Sequence, residues 1–481
     1  MLTDWQPQWD NKRMSPIKSV AVIGTGPSGA IAVDALMQEK AFDRVRVFER
    51  QEKAGGCWVS RENEKHVPLD VDKLSARTAD APIPIPSELP AYTPAVTQHR
   101  FTDSHIYPNL HTNVDASTME YSQESIPAVR SEMSVALHGP DTPFRHHTVI
   151  RQFIEDLLNR NGYQEFVEYN TTVERAVKDP QTGKWVLTLR RAGKPGAPDY
   201  WWSETFDALV VASGHFSVPY VPAIPGLKEF IEKYPENVLH TKQYRGPERY
   251  RGKRVVTVGA SVSAADTAVS LIGSAQSPIH AVVRGRYNPY FGDWAFRHPS
   301  IERRAPISRI SSENGQRTVH FEDGTSVSDV DYIILGTGFT WALPYLPDIP
   351  TRNNRVPDLY LHVFHQTDPA LVFIGGIFEW QAVAAARVLA GKAQLPSLEE
   401  QQKWERDRIQ QKGDGPAFTT INPDFPEYFE TLRQLAGEPK EGEGRVLPSF
   451  EQEWMDVFNA GHERRIRMWQ KANEAAANSK L

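Results

Sequence analysis

The chain has 481 residues, 40% of them hydrophobic and 24% charged, with a formal net charge of −6. This composition is typical of a soluble globular protein of about two to four domains. No long basic run is present, so we do not expect nucleic acid as the main partner. No stretch approaches roughly 18 consecutive apolar residues, and the N-terminus lacks a signal-peptide core, so neither a membrane span nor a secretory leader is expected.

The first organised stretch contains a short apolar strand, a G-x-G-x-x-G loop, a helix and a second apolar strand. The loop glycines are Gly24, Gly26 and Gly29, and the second strand ends on Glu49, which follows the last glycine by 20 residues (49 − 29). This order is typical of a dinucleotide-binding βαβ unit, in which the helix N-terminus binds the pyrophosphate. An acid at Glu49 favours an unphosphorylated ribose, as in FAD or NAD, over NADP.

The next hundred residues are less regular. Repeated prolines between Ala81 and Pro94 exclude helix interiors and central strands, so we expect a covering loop there. An amphipathic helix is predicted from about residue 144 to Gly162. His146 and His147 lie at its start, but no acid or cysteine joins them at metal-ligand spacing, so no metal site is predicted.

A second nucleotide pattern follows a strand at 255–258. Its loop, Gly259 to Ala264, is G-x-S-x-S-A, in which small residues replace two glycines and still permit close approach. No acid ends the next strand. Arg284 and Arg286 lie there instead, and they suit the 2′-phosphate of NADPH; the alternative is a solvated basic surface turn.

Further strands and helices are expected downstream. We predict a hairpin around Asp323-Gly324, a strand at 331–335, a helix after Gly375-Gly376, and a charged helical tail from about residue 395. Together the two nucleotide patterns predict an α/β fold with two Rossmann-like domains, the NADPH domain being inserted in the FAD domain. The predicted boundaries are 1–215 and 331–395 for FAD, 216–330 for NADPH, and 396–481 for a C-terminal extension.

From about residue 17 to 390 the chain resembles the flavin-containing monooxygenases. The resemblance is carried by GTGPSG with Glu49-Arg50 and Gly56-Cys57-Trp58, by a Y-x-x-L-x-T-N segment from Tyr107 to Asn113, and by LGTGF at 335–339. Similarities at 121–122, 126–127 and 172–173 continue it. The family fingerprint F-x-G-x-x-x-H-x-x-x-Y/F occurs here as Tyr234-x-Glu236-x-x-x-His240-x-x-x-Tyr244, with Tyr for Phe and Glu for Gly.

The resemblance implies a reaction and its residues. NADPH reduces FAD, dioxygen adds to give a C4a-hydroperoxyflavin, and a nucleophilic substrate takes one oxygen atom. Asn113 is the predicted catalytic residue, since its amide can both donate to and accept from the oxygenated flavin and the nicotinamide. The predicted cofactor contacts are Gly24, Gly26, Pro27, Ser28, Gly29, Glu49, Arg50, Gly56, Trp58, Thr112, Asn113, Val173, Gly259, Ser261, Ser263, Ala264, Arg284 and Gln381.

The substrate is expected to be a small organic molecule. Tyr244 at the last fingerprint position, and the absence of an R-Y-P-G stretch after Trp58, favour N- or S-oxygenation over Baeyer–Villiger chemistry. An NADPH oxidase or dehydrogenase stays open as an alternative. A disulfide reductase would need two thiols, and Cys57 is the chain's single cysteine.

The chain ends on Ser479-Lys480-Leu481. This tripeptide is a peroxisomal targeting signal when it is exposed at a C-terminus, so the expected partner is the import receptor and the expected location is the peroxisome. Without import, the protein would be cytoplasmic.

Overall fold

The computed structural model describes residues 16–61, 66–285, 287–376 and 378–478. Arg286 and Ser479–Leu481 therefore lie outside the described residues. The helices are α1 (Pro27–Gln38), α2 (Val71–Ser75), α3 (Glu132–His138), α4 (His147–Arg160), α5 (Leu227–Lys233), α6 (Val262–Ser270), α7 (Phe378–Leu389), α8 (Leu398–Lys412), α9 (Phe425–Ala436) and α10 (Gln452–Asn478). The strands are β1 (Ser19–Ile23), β2 (Arg44–Phe48), β3 (Ala91–Thr93), β4 (Val167–Glu168), β5 (Thr171–Lys178), β6 (Trp185–Arg191), β7 (Asp199–Phe206), β8 (Ala208–Val211), β9 (Val218–Pro219), β10 (Val238–His240), β11 (Val255–Val258), β12 (Ile279–Val282), β13 (Ile301–Arg304), β14 (Ile307–Glu313), β15 (Gln316–Phe321), β16 (Ser326–Val327), β17 (Tyr332–Leu335), β18 (Phe339–Thr340), β19 (Leu359–Tyr360), β20 (Phe364–His365) and β21 (Leu371–Phe373).

The first sheet has the order β19-β20-β21-β8-β1-β2-β4, and its strands from β21 to β4 are parallel. Successive residues of β1 alternate between its two faces, as the period of a strand requires. Val20 and Val22 pack against α1, α4 and α7, whereas Ala21 and Ile23 pack against a second, antiparallel sheet. Because both faces are covered, every residue of β1 after Ser19 is buried, which explains its continuous apolar sequence.

The antiparallel sheet on the second face has the order β3-β7-β6-β5. Its strand β3 lies within the segment 81–94, for which the sequence predicted only a loop. That prediction is wrong at Ala91–Thr93, since the short strand pairs with β7 through Ala91↔Trp201. β3 is an edge strand between Pro90 and Pro94, and an edge tolerates flanking prolines because only one side of the strand is hydrogen-bonded.

The inserted domain is built on a parallel sheet with the order β10-β17-β11-β12-β13. The predicted hairpin around Asp323-Gly324 is present as β15 and β16, with Val319 paired to Val327. The predicted boundary at residue 330 differs from the structure, because β17 pairs with β10 and β11 inside this sheet. The inserted unit therefore extends to Leu335, and the chain returns toward the first sheet only after that residue.

Helices α8, α9 and α10 form the predicted C-terminal extension, which packs on both domains. α9 lies against α7 of the first domain. Trp469 of α10 is buried in the core of the inserted domain beside Phe291, with ring centroids 5.2 Å apart. In the part of the chain that the structure describes, no helix is both long and apolar enough to cross a bilayer.

Arg445 anchors the extension between α9 and α10 to the first domain. Its guanidinium is fully buried among three carboxylates, donating to Glu379 from Nε at 2.9 Å and to Glu124 from Nη2 at 2.9 Å, and pairing with Asp34 of α1. These carboxylates raise the pKa of the guanidinium despite its burial. The cluster ties the C-terminal extension to α1 and α7, the two helices that follow β1 and β21 of the first sheet.

Candidate functional site

The loop after β1 lies at the carboxyl edge of the parallel sheet, where open α/β folds bind nucleotides. Gly24 has a φ of +100°, and a Cβ there would lie 2.8 Å from the carbonyl oxygen of Ala212. A Cβ on Gly29 would lie 1.9 Å from the Gly24 carbonyl oxygen, so only glycine lets α1 start this close to the strand. α1 begins at Pro27 after Gly26, and no side chain caps it, which leaves its N-terminal N–H groups available to an anion.

Glu49 is held rigidly at the end of β2. Its Oε2 accepts from the Thr25 N–H and the Thr25 hydroxyl, both at 2.8 Å, and its Oε1 accepts from the Gln51 N–H at 2.8 Å. The residue is 4% exposed, and the carboxylate has lone pairs left for further donors. Its geometry is therefore set before any ligand binds.

A cavity of about 930 Å³ opens beside this loop. Nine of the predicted cofactor residues line it: Gly24, Gly26, Pro27, Ser28, Glu49, Arg50, Gly56, Trp58 and Val173. Gly29 lies behind them in the helix–strand contact. The structure thus brings the phosphate loop, the acid and the β5 backbone segment to one cavity; their contacts with a cofactor stay predictions.

Thr112 and Asn113 lie beside this cavity rather than in its lining, which includes the next residue, Val114. The Thr112 hydroxyl donates to the Val114 carbonyl at 2.9 Å, and its N–H donates to the Arg145 carbonyl at 2.8 Å. The segment is therefore pinned. Asn113 is half-buried, and its amide makes no hydrogen bond to any described residue, so it is available to a ligand. Its catalytic role stays a prediction.

Gln381 acts through the loop between β21 and α7. Its Oε1 accepts from the N–H groups of Gly375 and Gly376 at 2.9 and 3.0 Å, and its Nε2 donates to the Tyr428 hydroxyl at 2.8 Å. The two glycines line the cavity and Gln381 does not. The structure therefore places Gln381 as a support for the loop, and a direct cofactor contact from it stays a prediction.

The second nucleotide motif lies at the carboxyl edge of the inserted sheet, between β11 and α6. Gly259 has a φ of +130°, and a Cβ there would lie 2.3 Å from the Gly336 carbonyl oxygen. Ala264 packs closely against Gly336, so position 264 accommodates only a small side chain. Ser261 and Ser263 are exposed, and neither hydroxyl has a partner among the described residues. They are free to donate to a phosphate.

Arg284 is exposed two residues after β12 ends and makes no ion pair with the described residues. It lies at the same sheet edge as the serines, since β11 and β12 are adjacent and parallel. The second arginine of the predicted pair, Arg286, is outside the described residues. This position is compatible both with binding of a 2′-phosphate and with a solvated basic surface turn, the two interpretations of the sequence.

The altered fingerprint does not distort the inserted domain. Glu236 is exposed, pairs with Arg249 at 2.9 Å and has no positive φ, so glycine is not required there. His240 is buried, its Nδ1 accepts from the Lys242 N–H, and burial lowers the pKa of its imidazole to about 3. Tyr244 is buried too, and its hydroxyl lies 2.6 Å from Ser270 of α6. Both side chains are therefore packed within the inserted domain, His240 at the end of β10 and Tyr244 against α6.

Sequence reasoning missed three features around the site. The side chain of Lys242 is fully buried, and its Nζ donates to Asp103 at 2.9 Å and to the Ser217 carbonyl at 2.7 Å. Lys242 thereby joins the loop that contains Asp103 to the segment at Ser217 that connects the two domains. Arg465 of α10 pairs with Asp266 of the second nucleotide motif, opposing the rise that burial causes in the pKa of that carboxyl. The third is an aromatic part of the cavity contributed by α9 and α10. The aromatic residues of the C-terminal tail were a sequence signal for the third feature, whereas the first two depend on side chains far apart in the chain.

These features fit two dinucleotides. The first cavity offers an uncapped helix N-terminus, a fixed carboxylate and apolar walls, as FAD requires, and the second edge offers free hydroxyls and an arginine, as NADPH requires. Among the described residues no cluster of histidine, cysteine or acid side chains could hold a metal ion. Fold and site together define a two-dinucleotide flavin oxidoreductase.

Comparison with known proteins assigns the family. A model described as flavin-binding monooxygenase-like matches residues 129–287 and 307–440, more than half of the chain, and one described as an NAD(P)-binding Rossmann-like domain matches residues 22–78. The chain therefore belongs to the flavin-binding monooxygenase-like family. It is a flavin-dependent monooxygenase with FAD and NADPH as its cofactors.

Similar proteins come from fungi, plants and bacteria. The chain is 27% identical to flavin-containing monooxygenase ustF2 of Aspergillus flavus, over 92% of this chain and 96% of that protein. It is 30% identical to flavin-containing monooxygenase FMO GS-OX-like 3 of Arabidopsis thaliana, over 80% of each, and 28% identical to trimethylamine monooxygenase of Methylocella silvestris, over 90% and 88%. The structure of S-allyl-L-cysteine S-oxygenase from Allium sativum shares the fold, with a TM-score of 0.69, 24% identity and coverage of 96% and 99%.

Proposed function

We propose that this protein transfers one oxygen atom from O2 to a nitrogen or sulfur atom of a small organic substrate. The observation that carries the proposal is the 930 Å³ cavity, which joins a dinucleotide-binding loop to a largely apolar space. The relatives named for trimethylamine and for S-allyl-L-cysteine agree with a nitrogen or sulfur acceptor.

FAD, once reduced by NADPH, supplies the activation of dioxygen that amino-acid side chains cannot provide. The overall reaction balances with one NADPH, one proton and one O2. The substrate's lone pair forms the new N–O or S–O bond, the O–O bond breaks, and the second oxygen atom leaves as water. The two electrons needed come from NADPH, so no further reductant is required.

The protein's first task is to hold FAD. Glu49 would accept from ribose hydroxyls, because its carboxylate is already oriented by Thr25 and Gln51. The N-terminus of α1 would bind the pyrophosphate through free backbone N–H groups of its first turn, such as that of Ser28, since Pro27 has no N–H to donate. Ser261 and Arg284 would bind the phosphates of NADPH, the serine through its hydroxyl and the arginine through its guanidinium.

The second task is to keep water from the reacting atoms. The cavity lining includes the apolar residues Ile126, Ile150 and Phe153. Asn113 would bind the flavin and the nicotinamide through an amide that carries no ionisable proton. Apolar surroundings at the reacting atoms would favour oxygen transfer over loss of peroxide to solvent.

The described residues argue against disulfide reduction, although that chemistry occurs on a similar fold. Cys57, the chain's single cysteine, is exposed and lines the cavity. The chain offers no second thiol with which it could form a redox-active pair.

The test is a product balance in the purified FAD-loaded enzyme. NADPH and O2 are supplied with trimethylamine, dimethyl sulfide or cyclohexanone, and NADPH consumption is compared with oxygenated product and hydrogen peroxide. N-oxide or sulfoxide formed in proportion to NADPH supports the proposal. Complete release of hydrogen peroxide would identify an oxidase, and lactone from cyclohexanone would identify a Baeyer–Villiger enzyme instead.

We also propose that Ser479-Lys480-Leu481 is bound by the peroxisomal import receptor; the support is the tripeptide itself. The test is imaging of the N-terminally tagged protein in a eukaryotic cell, with and without these three residues. We expect punctate peroxisomal signal that becomes diffuse in the truncated form. Identical distributions of the two forms would contradict the proposal.

A further inference from the structure

One part of the cavity is formed by the C-terminal extension. We call it the aromatic wall, and it consists of Phe425 and Phe429 of α9, Phe450 of the connecting loop, and Trp454 and Phe458 of α10. Pro448 and Met455 add apolar surface beside it. All five aromatic residues are half-buried, which is expected if each packs on protein on one side and faces open space on the other.

The rings hold one another in place. The ring centroids of Phe429, Phe450 and Trp454 lie 5.6 to 5.7 Å apart, pair by pair. Trp380 of α7, which also lines the cavity, packs against them, with its ring centroid 4.6 Å from that of Phe429 and 5.5 Å from that of Trp454. A cluster of mutually packed rings is rigid, so it offers a ligand apolar contact at little cost in side-chain entropy.

The wall carries no positive charge. Of its lining residues between 425 and 458, Glu451 is the one with an ionisable side chain. The two arginines of the lining lie outside this segment: Arg100 pairs with Glu174, and Arg50 donates to the neutral hydroxyl of Ser217. A substrate carboxylate at the wall would lose its hydration and meet no cation, which is unfavourable.

The wall extends past the part of the chain that the family model matches. That match ends at residue 440, whereas Phe450, Trp454 and Phe458 lie beyond it. The phosphate loop and Glu49, by contrast, lie in the segment matched by the Rossmann-like model. The wall therefore combines two residues inside the matched segment, Phe425 and Phe429, with three beyond its end.

We propose that the aromatic wall selects the substrate: it binds the aryl or bulky alkyl group of an uncharged amine or thioether, and it excludes substrates that carry a carboxylate near the acceptor atom. This inference rests on the proposed function and extends it to a substrate class. The acceptor atom would then be presented to the cofactor from the wall side of the cavity.

The experiment compares three thioethers on the holoenzyme: methyl phenyl sulfide, dimethyl sulfide and S-methyl-L-cysteine. We measure kcat/KM for sulfoxide formation, and we measure equilibrium binding to the oxidised enzyme from changes in flavin absorbance. The wild type should bind and oxygenate methyl phenyl sulfide at least tenfold better than the other two. Preference for S-methyl-L-cysteine, or equal treatment of all three, would overturn the inference.

The variant Trp454→Ala should weaken binding and kcat/KM for methyl phenyl sulfide about 10- to 100-fold, as for a buried aromatic anchor, and change dimethyl sulfide less than threefold. Trp454→Phe should recover most of the loss. Val457→Ala, on α10 but outside the cavity lining, is the matched control and should leave both substrates unchanged. Equal losses for both sulfides in Trp454→Ala would overturn the inference.

Phe450→Ala provides a second, independent test if Trp454→Ala loses FAD. The binding measurement also separates the two proposals. If the wild type releases only hydrogen peroxide, the proposed function is wrong. The proposed selectivity of the aromatic wall is still tested in that case: methyl phenyl sulfide should bind more tightly than dimethyl sulfide, and Phe450→Ala should abolish that difference.

Discussion

Arg445 offers the sharpest test of how the C-terminal extension is attached. Its guanidinium is 0% exposed and bridges Asp34, Glu124 and Glu379, which themselves are at most 7% exposed. Arg445→Met would leave three carboxylates close together in a buried site without their main cation. Removing one partner of a buried ion pair typically costs about 3 to 5 kcal/mol. We therefore expect the segment around Arg445 to open far more often.

This loss of stability can be measured as an increase in the rate of proteolysis. At about 1.4 kcal/mol per tenfold, that cost corresponds to an opening equilibrium raised about 100-fold to several thousandfold. When opening is fast relative to cleavage, the cleavage rate follows this equilibrium. We would follow cleavage after Glu441 and Glu443, within the segment 438–451, by a glutamate-specific protease, because neither the arginine nor the methionine forms its cleavage site.

Arg464→Met is the matched control. Arg464 lies on α10 and pairs with Asp141, whose side chain is 70% exposed. An exposed pair of this kind contributes about 1 kcal/mol or less, so cleavage should rise less than tenfold. If Arg445→Met raised cleavage no more than Arg464→Met, the buried cluster would not be what holds the extension in place, and our reasoning would be wrong.

Three further predictions concern the cofactor sites and pH. Glu49→Gln turns an amide N–H₂ group toward backbone N–H donors and removes a negative charge, so we expect FAD binding to weaken about thirtyfold. Fluorescence titration measures this affinity. Glu52→Gln, at an exposed position nearby, is the control and should leave it unchanged. Asn113→Ala should keep its FAD but release a larger share of NADPH electrons as hydrogen peroxide, and Asn109→Ala should not; unchanged coupling would show that Asn113 is the wrong residue. His240 has its pKa lowered from 6.5 to about 3, so the unfolded chain binds a proton that the folded protein does not, and stability falls as pH drops below about 6.5. Between about pH 7.5 and pH 5 the wild type should lose about 2 kcal/mol more unfolding free energy than His240→Asn, by urea titration; equal losses would contradict this.

The nucleotide motifs could be predicted from the sequence because their chemistry is local. A strand, Gly24 to Gly29 and Glu49 occupy neighbouring positions of one βαβ unit, and short-range geometry brings them together in any such unit. The hairpin at 323–324 was predictable for the same reason. The α/β class and the inserted arrangement followed from finding two such units on one chain.

The boundary after β17 and the edge strand β3 were not predictable in this way. β17 joins the inserted sheet because it pairs with β11, 77 residues earlier in the chain (332 − 255), and a sequence pattern shows a strand without showing its partner. β3 depends on pairing with β7 across more than 100 residues. Long-range pairing is decided by global packing rather than by local preference.

The amino-acid sequence by itself determined that this protein binds two dinucleotides, since turns, helix N-termini and a charge at a strand end are encoded within a few tens of residues. Only the tertiary structure decided what completes the cavity. Arg445, Trp454 and Arg465 reach α1, the cavity and Asp266 from the far end of the chain. Side chains so distant in sequence meet only because folding buries them together.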